Sequence, residues 1–520
     1  MLSILILVPI VGAILISLLP TRSSPQLIRS IALVVALLDL AWTGVVIGHF
    51  QMGIPGIQLG EYQAWIPPLG LVYELGVDGL SLPLLVLNNL LVMVAVWSSV
   101  RTLQRPRFYY SLILLLQAGV VGAFLAQNLL LFFLFYEVEL IPLYLLIAIW
   151  GGSRRGYASA KFLIYTAFSG ILLLAAFFGI TWLSGTGSFS LAVLRQHSIP
   201  LPQQLLLLLP LLLGLGIKIP LVPLHTWLPD AHVEASTPVS VLLAGILLKL
   251  GTYGLIRFGL DLLPEGWQVL APWLAALAVV NVIYGSLNAL AQQDMKKLVA
   301  YGSVAHMGYV LLAVAAATPL SLLGSVFQMV SHGLISALLF LLVGAVYTNT
   351  GTRDLRRLQG LLNPERGLPL VGSLMILGVM ASAGTPGMVG FIAEFIVFRS
   401  SFEVFPVQTL LCMLGTGLTA AYFLLLVNRA FFGRLSDQAI RMPRRQLYER
   451  LPAAVLAVVV VLLGLQPNWI LDWVETTTSA IALAHSHTPL PLAGELSGSL
   501  GAISTLLKSF SATFSLDSLG

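Results

Sequence analysis

The chain has 520 residues, of which 58% are hydrophobic and 9% charged, and its formal net charge is +5 at pH 7. This composition excludes a soluble domain of this size, because a surface with so few charges would aggregate in water, and it indicates a polytopic membrane protein. The single cysteine, Cys412, excludes an intrachain disulfide and an iron–sulfur cluster held by this chain alone.

Long apolar runs divide most of the chain into predicted transmembrane helices. Since about 20 apolar residues cross the bilayer core, the runs predict an all-α fold with about 14 spans. The first run lacks a basic start and a small-residue cleavage site, so we expect it to be retained as a helix. The predicted spans are 2–19, 27–49, 79–100, 108–126, 128–150, 158–184, 203–233, 236–260, 271–291, 296–317, 319–347, 369–400, 406–433 and 451–474.

The charges of the predicted loops agree with this number of spans. If the N-terminus lies outside, most of the 26 Lys and Arg residues fall in the odd-numbered loops, which the positive-inside rule assigns to the cytoplasm. Both termini are then predicted to lie on the opposite side. This loop bias explains the net positive charge better than an anionic partner such as a nucleic acid does.

The tail after about residue 475 differs from the spans, because Ser and Gly alternate with scattered Leu, Ile and Phe. It could form a weak interfacial helix or a disordered end. We expect it to be a surface segment that packs on a partner.

Two predicted spans carry strong helix breakers. Pro220 and Pro223 follow Lys218 in the seventh span, and the segment 384–387, GTPG, interrupts the twelfth. Interrupted helices at matched positions are typical of inverted repeats around an ion path, whereas a single proline kink is common in any membrane helix. Spans 4–8 are therefore predicted to match spans 9–13. The predicted regions are 1–107 with helices 1–3, 108–262 and 263–434 with one five-helix repeat each, and 435–520 with helix 14 and the tail.

The fifth predicted span carries two acidic residues at membrane depth, Glu137 and Glu139. A separation of two residues places them about 200° apart on a helix, so they cannot share one partner. We predict that Glu137 is the relay member and the counter-charge of Lys218, and that Glu139 faces another helix or a neighbouring subunit. The alternative is a structural pair held by an arginine.

Two lysines lie deep in apolar runs, Lys218 and Lys249. A lysine beside a carboxylate can take up and release a proton, which an arginine cannot do because it stays charged. Each lysine could instead reach the membrane surface with its ammonium. Lys249 is about a dozen residues from either end of its span, too far to do so easily.

Further titratable residues follow along the chain: His306, His332 and Glu394. Imidazole titrates near neutrality and can pass protons between waters, although a lone histidine is more often a hydrogen-bonded core residue. Nearby Ser303 and Ser331 could hold such waters. We call the following six residues the titratable row, and predict a proton path along them with hydrated gaps: Glu137, Lys218, Lys249, His306, His332 and Glu394.

Other kinds of site find little support in the sequence. His225, a secondary candidate, could form a metal site with Asp230, His232 and Glu234, but the spacing matches no standard zinc pattern. The motifs of nucleotide-binding loops are absent from the sequence. Redox chemistry is therefore expected outside this chain.

The same residues lie in motifs of a known family. The chain resembles the antiporter-like proton-pumping subunits of respiratory complex I and of its photosynthetic relative, the NAD(P)H dehydrogenase-like complex, and is similar to their chain 4 type. The motifs cover spans 5 to 12 and are LLFFLFYEVELIPLYLLIAIWGG, GIKIPLVPLHTWLPDAHVEASTPVSVLLAGILLKLGTYG, DMKKLVAYGSVAHMGYV, QMVSHGLISALLFLLVGAVY and GTPGMVGFIAEF.

The resemblance implies 14 helices, with two inverted five-helix repeats and broken helices 7 and 12. It also implies a proton-path role for all six residues of the titratable row, since each lies in a matching motif. Glu139, in YEVELIP, resembles the photosynthetic members of the family.

For the whole assembly, the resemblance implies a proton-translocating NAD(P)H/ferredoxin:plastoquinone oxidoreductase. Plastoquinone, iron–sulfur clusters and ferredoxin or NAD(P)H would be bound by other subunits of the membrane and hydrophilic arms, and none by this chain. The chain would lie in a cyanobacterial thylakoid membrane, with both termini in the lumen. Its departures from the main plastoquinone-reducing form favour a CO2-uptake variant.

Two other functions stay open on the residues alone. The same side chains could exchange Na⁺ or K⁺ for protons in a stand-alone antiporter of the related multi-subunit kind. The chain could also be a structural arm whose buried charges are vestigial.

Overall fold

The computed structural model describes residues 1–99, 104–365, 367–434 and 450–486, which form a helical bundle with one β-hairpin. The helices of the first half are α1 Ser3–Leu18, α2 Pro25–His49, α3 Leu82–Ser98, α4 Pro106–Leu125, α5 Leu129–Val138, α6 Leu140–Trp150, α7 Arg155–Leu183, α8 Leu191–Leu194, α9 Leu201–Lys218, α10 Trp227–Glu234, α11 Thr237–Leu242 and α12 Leu248–Gly254. Those of the second half are α13 Pro264–Ala291, α14 Met295–Ala316, α15 Pro319–Thr350, α16 Pro369–Ser382, α17 Val389–Phe402, α18 Pro406–Phe431, α19 Leu451–Leu465 and α20 Asn468–Ser486. The predicted tail beyond residue 486 lies outside the described residues, as do these basic residues of the loop analysis: Arg101, Arg366, Arg441, Arg444, Arg445 and Lys508.

The helices confirm an all-α membrane protein. In the described part of the chain, ten helical stretches are long and apolar enough to cross a membrane, and a bent pair would make eleven. That pair, α19 and α20, is bent by 64°, and three further apolar helices, α1, α3 and α16, have fewer than 18 residues. Because length alone does not decide whether these short or bent helices cross, the number of about 14 spans stays a prediction.

Both predicted breaks are present. The seventh predicted span divides into α9 and α10, with Pro220 and Pro223 in the connection. The twelfth divides into α16 and α17, and Gly384 and Gly387 lie between them with φ of 71° and 86°. These φ values suit glycine, since a Cβ disfavours the left-handed region. The GTPG segment therefore breaks the helix through its glycines as well as its proline.

Three local features were not predicted from the sequence. An antiparallel hairpin, β1 Gln58–Ile66 and β2 Leu71–Val77, lies between α2 and α3. The fifth predicted span is interrupted at Glu139, between α5 and α6. The eighth contains two π-helical turns, Leu243–Leu247 and Leu255–Leu260, on either side of α12. Such turns in a membrane helix often occur at functional sites.

The most deeply buried helices are those that carry the central titratable residues. The stretch Thr237–Leu260 is completely enclosed, and α14 and α15 are almost completely enclosed. By contrast, α7, α13 and α18 bury less than half of their apolar windows and present apolar side chains outward. Lys249, His306 and His332 therefore lie in the middle of the protein, away from lipid.

The two halves of the second broken span pack directly on each other at Gly390. A Cβ at this position would overlap the backbone carbonyl oxygen of Ala381 on α16. We expect Gly390→Ala to destabilise the protein by about 1–3 kcal/mol, because the backbone of α16 or α17 must move. The thermal unfolding midpoint of the detergent-purified protein measures this effect.

Gly417→Ala is the matched control, since Gly417 lies in α18 with open space where its Cβ would be. Its midpoint should stay unchanged or rise slightly, because alanine favours a helix more than glycine does. Equal midpoints for the two variants would contradict the tight contact at Gly390.

Candidate proton path

The first buried ion pair joins Glu139 to Lys218. Glu139 lies at the junction of α5 and α6, and Lys218 is the last residue of α9, so both side chains leave the ends of interrupted helices. The Lys218 Nζ contacts Glu139 Oε1, and both side chains are at most 1% exposed. Because the partner is Glu139, the prediction that Glu137 is the counter-charge of Lys218 is wrong. As predicted, the two glutamates do not share one partner, but Glu139 and not Glu137 contacts Lys218.

Aromatic and hydroxyl groups position the Lys218 ammonium. Its Nζ lies 4.5 Å from the centroid of the Tyr136 ring, within range of a cation–π interaction. The Tyr136 hydroxyl lies 2.8 Å from Ser169 Oγ, which donates to the carbonyl of Gly214 at 2.7 Å. This chain of contacts connects α5, α7 and α9. These contacts hold the Tyr136 ring beside the Lys218 ammonium, which also contacts the Glu139 carboxylate.

Glu137 lies on α5, against α7. Its side chain is half-buried, and a Cβ at Gly170 would overlap the Glu137 carboxylate. Gly170 thus provides the space that this carboxylate occupies. Among the described residues Glu137 forms no ion pair, so it is the free carboxylate next to the Glu139–Lys218 pair.

Lys249 lies between the two π-helical turns and is completely buried. Its Nζ donates to the carbonyl of Ala244 at 2.7 Å and lies 2.8 Å from Nδ1 of His332. In the described part of the chain no carboxylate lies within ion-pair distance of it. A proton between these two nitrogens can reside on either of them, so the contact can hold and pass on one proton.

His306 continues this contact toward Glu394. The His306 and His332 rings are 5.7 Å apart between centroids, and His306 Nε2 lies 3.1 Å from Ser382 Oγ. His306 Nδ1 lies 3.6 Å from Glu394 Oε1, while Thr416 donates to the other carboxylate oxygen at 2.8 Å. A separation of 3.6 Å is too long for a direct hydrogen bond, so a small movement or a water must close it.

A small cavity lies among these groups. Its volume is about 20 Å³, which is enough for one water molecule. The polar side chains in its wall are Ser303, His306, Ser331, His332, Ser336, Ser382 and Glu394. A water in this cavity would have several hydrogen-bond partners. The structure therefore brings four members of the titratable row together, Lys249, His332, His306 and Glu394, and keeps the Glu139–Lys218 pair apart from them.

The secondary candidate His225 lies outside this group, in the connection between α9 and α10. It is 3% exposed, and its ring packs edge-on against Tyr284 at 5.0 Å between centroids. The residues of the metal alternative point to different partners. Asp230 pairs with Lys161 at 2.8 Å, and Glu234 accepts from the backbone of Arg154 at 2.8 Å.

The sequence analysis gave no place in the proton path to His232 or Lys296, although both are buried titratable residues. His232, on α10, is stacked on Phe340 at 4.5 Å, and neither ring nitrogen has a hydrogen-bond partner among the described residues. Lys296 was assigned to a cytoplasmic loop, but it is buried in the first turn of α14. The spacing of seven residues to Ser303 could have placed Lys296 on the inward face of this helix.

Lys296 lies next to a wide cavity. Its Nζ donates to the carbonyl of Ala235 at 2.7 Å, to Ser240 Oγ at 3.0 Å and to the carbonyl of His232 at 3.1 Å. The cavity has a volume of about 830 Å³ and is lined by polar and apolar residues. Its charged residues are Arg155, Glu234, Lys296, Arg353 and Arg450. Most of them are the basic residues that the positive-inside rule assigns to the cytoplasmic side.

Comparison with known proteins identifies the family of this chain. The family model described as NADH:quinone oxidoreductase/Mrp antiporter, TM, matches residues 126–419. The NAD(P)H-quinone oxidoreductase chain 4 2 of Thermosynechococcus vestitus is 40% identical over 505 residues, which cover 94% of this chain and 93% of that protein. The NAD(P)H-quinone oxidoreductase chain 4 1 of a Nostoc species is 40% identical over 510 residues, which cover 95% and 94%.

The solved structures show the same relationship. A chain of respiratory complex I from Thermus thermophilus is similar with a TM-score of 0.85 and 28% sequence identity, covering 93% of this chain and 100% of that one. The chain described here belongs to the NAD(P)H-quinone oxidoreductase chain 4 family. The resemblance predicted from the motifs is therefore confirmed.

Removing one member of the Glu139–Lys218 pair should destabilise the protein more than removing both. Glu139→Gln leaves a buried ammonium without its carboxylate, which costs about 3–5 kcal/mol, whereas replacing both members by uncharged residues is close to neutral. We therefore expect Glu139→Gln to lower the thermal unfolding midpoint and the added change Lys218→Met to raise it again. Unfolding of the detergent-purified single and double variants measures this.

Glu137→Gln is the control for that experiment, since it makes the same change two residues away. We expect it to lower the midpoint much less, because Glu137 forms no ion pair in the described part of the chain. A larger loss for Glu137→Gln than for Glu139→Gln would reverse the assignment of the partner.

Proposed function

We propose that this chain is a proton-translocating membrane subunit of an NAD(P)H-quinone oxidoreductase. The observation that supports it most is the line of contacts from Lys249 through His332 and His306 to Glu394, beside a cavity for one water. Every member of this line can bind and release a proton. Titratable side chains are costly at membrane depth, so positions that only face lipid would not carry them.

In the proposed path, the wide cavity beside Lys296 and Glu234 provides access for protons from the basic side of the protein. The proton is shared between Lys249 and His332, whose nitrogens are 2.8 Å apart. It passes to His306 and Glu394 through the water-sized cavity. Glu137 and Lys218 form the other arm of the path, and the pairing of Lys218 with Glu139 controls whether its proton is free to move.

The organisation predicted from the sequence is part of the same proposal. The regions 108–262 and 263–434 would be inverted repeats, each with one broken helix, and 1–107 and 435–520 would flank them. The cavity at Lys296 would face the cytoplasm and both termini the thylakoid lumen. Plastoquinone, iron–sulfur clusters and NAD(P)H or ferredoxin would be held by partner subunits of the membrane and hydrophilic arms.

The role of the line is tested by Lys249→Met and Glu394→Gln in the complete complex. Because removing a positioned proton donor or acceptor slows transfer by about 10²–10⁴-fold, each variant should pump fewer protons per electron. Quinone reduction and proton uptake are measured together in sealed vesicles. Arg356→Ala, which removes an exposed loop charge, is the control and should leave the ratio unchanged.

The outcomes separate the three functions considered from the sequence. Unchanged pumping in both variants would favour a structural arm with vestigial charges. Sodium-dependent proton flux without an electron donor would favour a stand-alone Na⁺(K⁺)/H⁺ antiporter. Proteins that co-purify in mild detergent test the subtype, because carbonic-anhydrase-like partners are expected only for the CO2-uptake variant.

A further inference from the structure

Asp39 is a buried acid that lies outside the titratable row, in the N-terminal helices. Asp39 is in the middle of α2, completely buried, and it precedes the segment 126–419 that the family model matches. Four further polar residues, each at most 1% exposed, surround it on α2, α3 and α4. The Asp39 cluster consists of Asp39, Thr43, Asn88, Asn89 and Gln117.

Hydrogen bonds connect all members of the Asp39 cluster. Gln117 Nε2 donates to Asp39 Oδ2 at 2.7 Å and lies 3.0 Å from Asn89 Oδ1. Asn89 Nδ2 donates to Thr43 Oγ1 at 2.8 Å, and Asn88 Nδ2 donates to Asn89 Oδ1 at 3.0 Å. The Thr43 hydroxyl itself donates to the carbonyl of Asp39 at 2.8 Å. The hydrogen-bond network thus joins three helices, and within it the Asp39 carboxyl group contacts Gln117 of α4.

The cluster contains one acid and no base. Among the described residues, no Lys, Arg or His lies within ion-pair distance of Asp39. Two buried oxygens also have no donor there, Asp39 Oδ1 and Gln117 Oε1. An ionised carboxylate in such a place would be unpaired and cut off from water, which is strongly unfavourable. A proton on Asp39 removes the charge and supplies the donor that the cluster lacks.

A basic residue of a neighbouring subunit cannot replace this proton, because the Asp39 side chain is 0% exposed. No residue of the titratable row forms a hydrogen bond with Asp39 among the described residues either. Leu87 and Leu91 of α3 pack against the backbone at Gly333 and Gly245, beside His332 and Lys249. On α3, Leu87 and Leu91 thus contact the helices that carry Lys249 and His332, while Asn88 and Asn89 belong to the cluster. Among the described residues, Asp39 has only amides and hydroxyls as side-chain neighbours in its hydrogen-bond network.

We propose that Asp39 is a proton-binding site distinct from the titratable row, and that its proton is bound at neutral pH. The bound proton makes the carboxyl group neutral and joins α2 to α4 through Gln117. This proposal does not depend on the role of the row. A failure of the pumping experiment would leave it unaffected.

Infrared spectroscopy of the purified complex in lipid at pH 7 tests the proposal. The spectrum of the wild type minus that of Asp39→Asn should contain a carbonyl band of a protonated carboxylic acid, which moves to lower frequency in D2O. A difference confined to the carboxylate bands would overturn the proposal. Asparagine retains the shape and offers an N–H donor, so we expect this variant to assemble.

Gln117→Leu provides a second measurement that does not need the Asp39 variant to fold. It removes the hydrogen bond to the acid but keeps the acid itself, so the band should persist and move to higher frequency. Thr166→Val is the matched control and should leave the band in place, because Thr166 is a buried threonine of α7 whose hydroxyl donates only to backbone carbonyls of its own helix. Loss of the band when choline is replaced by Na⁺ or K⁺ would identify a metal-cation site and overturn the proton assignment.

Discussion

Every titratable side chain inside the bilayer must find its partner within the protein, because lipid offers neither hydrogen bonds nor counter-charges. This constraint explains where the helices of this chain are irregular. Glu139 lies at the junction of two helices, Lys218 at the end of one, and Lys249 between two π-helical turns. At each irregularity the side chain leaves the helix where a neighbouring element can receive it. These three titratable side chains and the irregularities of the helices therefore occur at the same places in the structure.

The two halves satisfy this constraint in different ways. In the first half, Lys218 has a full ion pair with Glu139 and an aromatic ring at 4.5 Å. In the second, His306 approaches Glu394 only to 3.6 Å, and serines and a cavity for one water lie around them. Lys249, in the middle, has no carboxylate among the described residues and shares its contact with His332. The Glu139–Lys218 pair holds its two charges in direct contact, whereas the contacts around Lys249, His306 and Glu394 leave room for a proton to move.

Much of the fold could be predicted from the sequence, because it depends on local composition. Apolar runs predicted the helices, and Pro220, Pro223 and the GTPG segment predicted the two breaks. What could not be predicted depends on tertiary contacts. The partner of Lys218 is Glu139, whereas Glu137 lies against Gly170 of α7, and which neighbouring helix each glutamate meets is not a local property of the sequence. The burial of Lys296 and of Asp39 likewise follows from neighbouring helices, since each lies in a segment that reads as an ordinary helix or loop.

The different partners also determine which groups can respond during turnover of the proposed path. A proton on Lys218 is held while Glu139 is ionised beside it, so it can leave only when that carboxylate is neutralised or moves away. Glu137 has no ion pair among the described residues and lies next to Gly170, so it is a carboxylate of α5 that can change the local charge without breaking the Glu139–Lys218 pair. Lys249 has no carboxylate partner among the described residues, so its contact with His332 can rearrange without breaking an ion pair there. In the proposed path, Glu137 and Glu139 would therefore control proton transfer, while Lys249, His306 and His332 would conduct the proton.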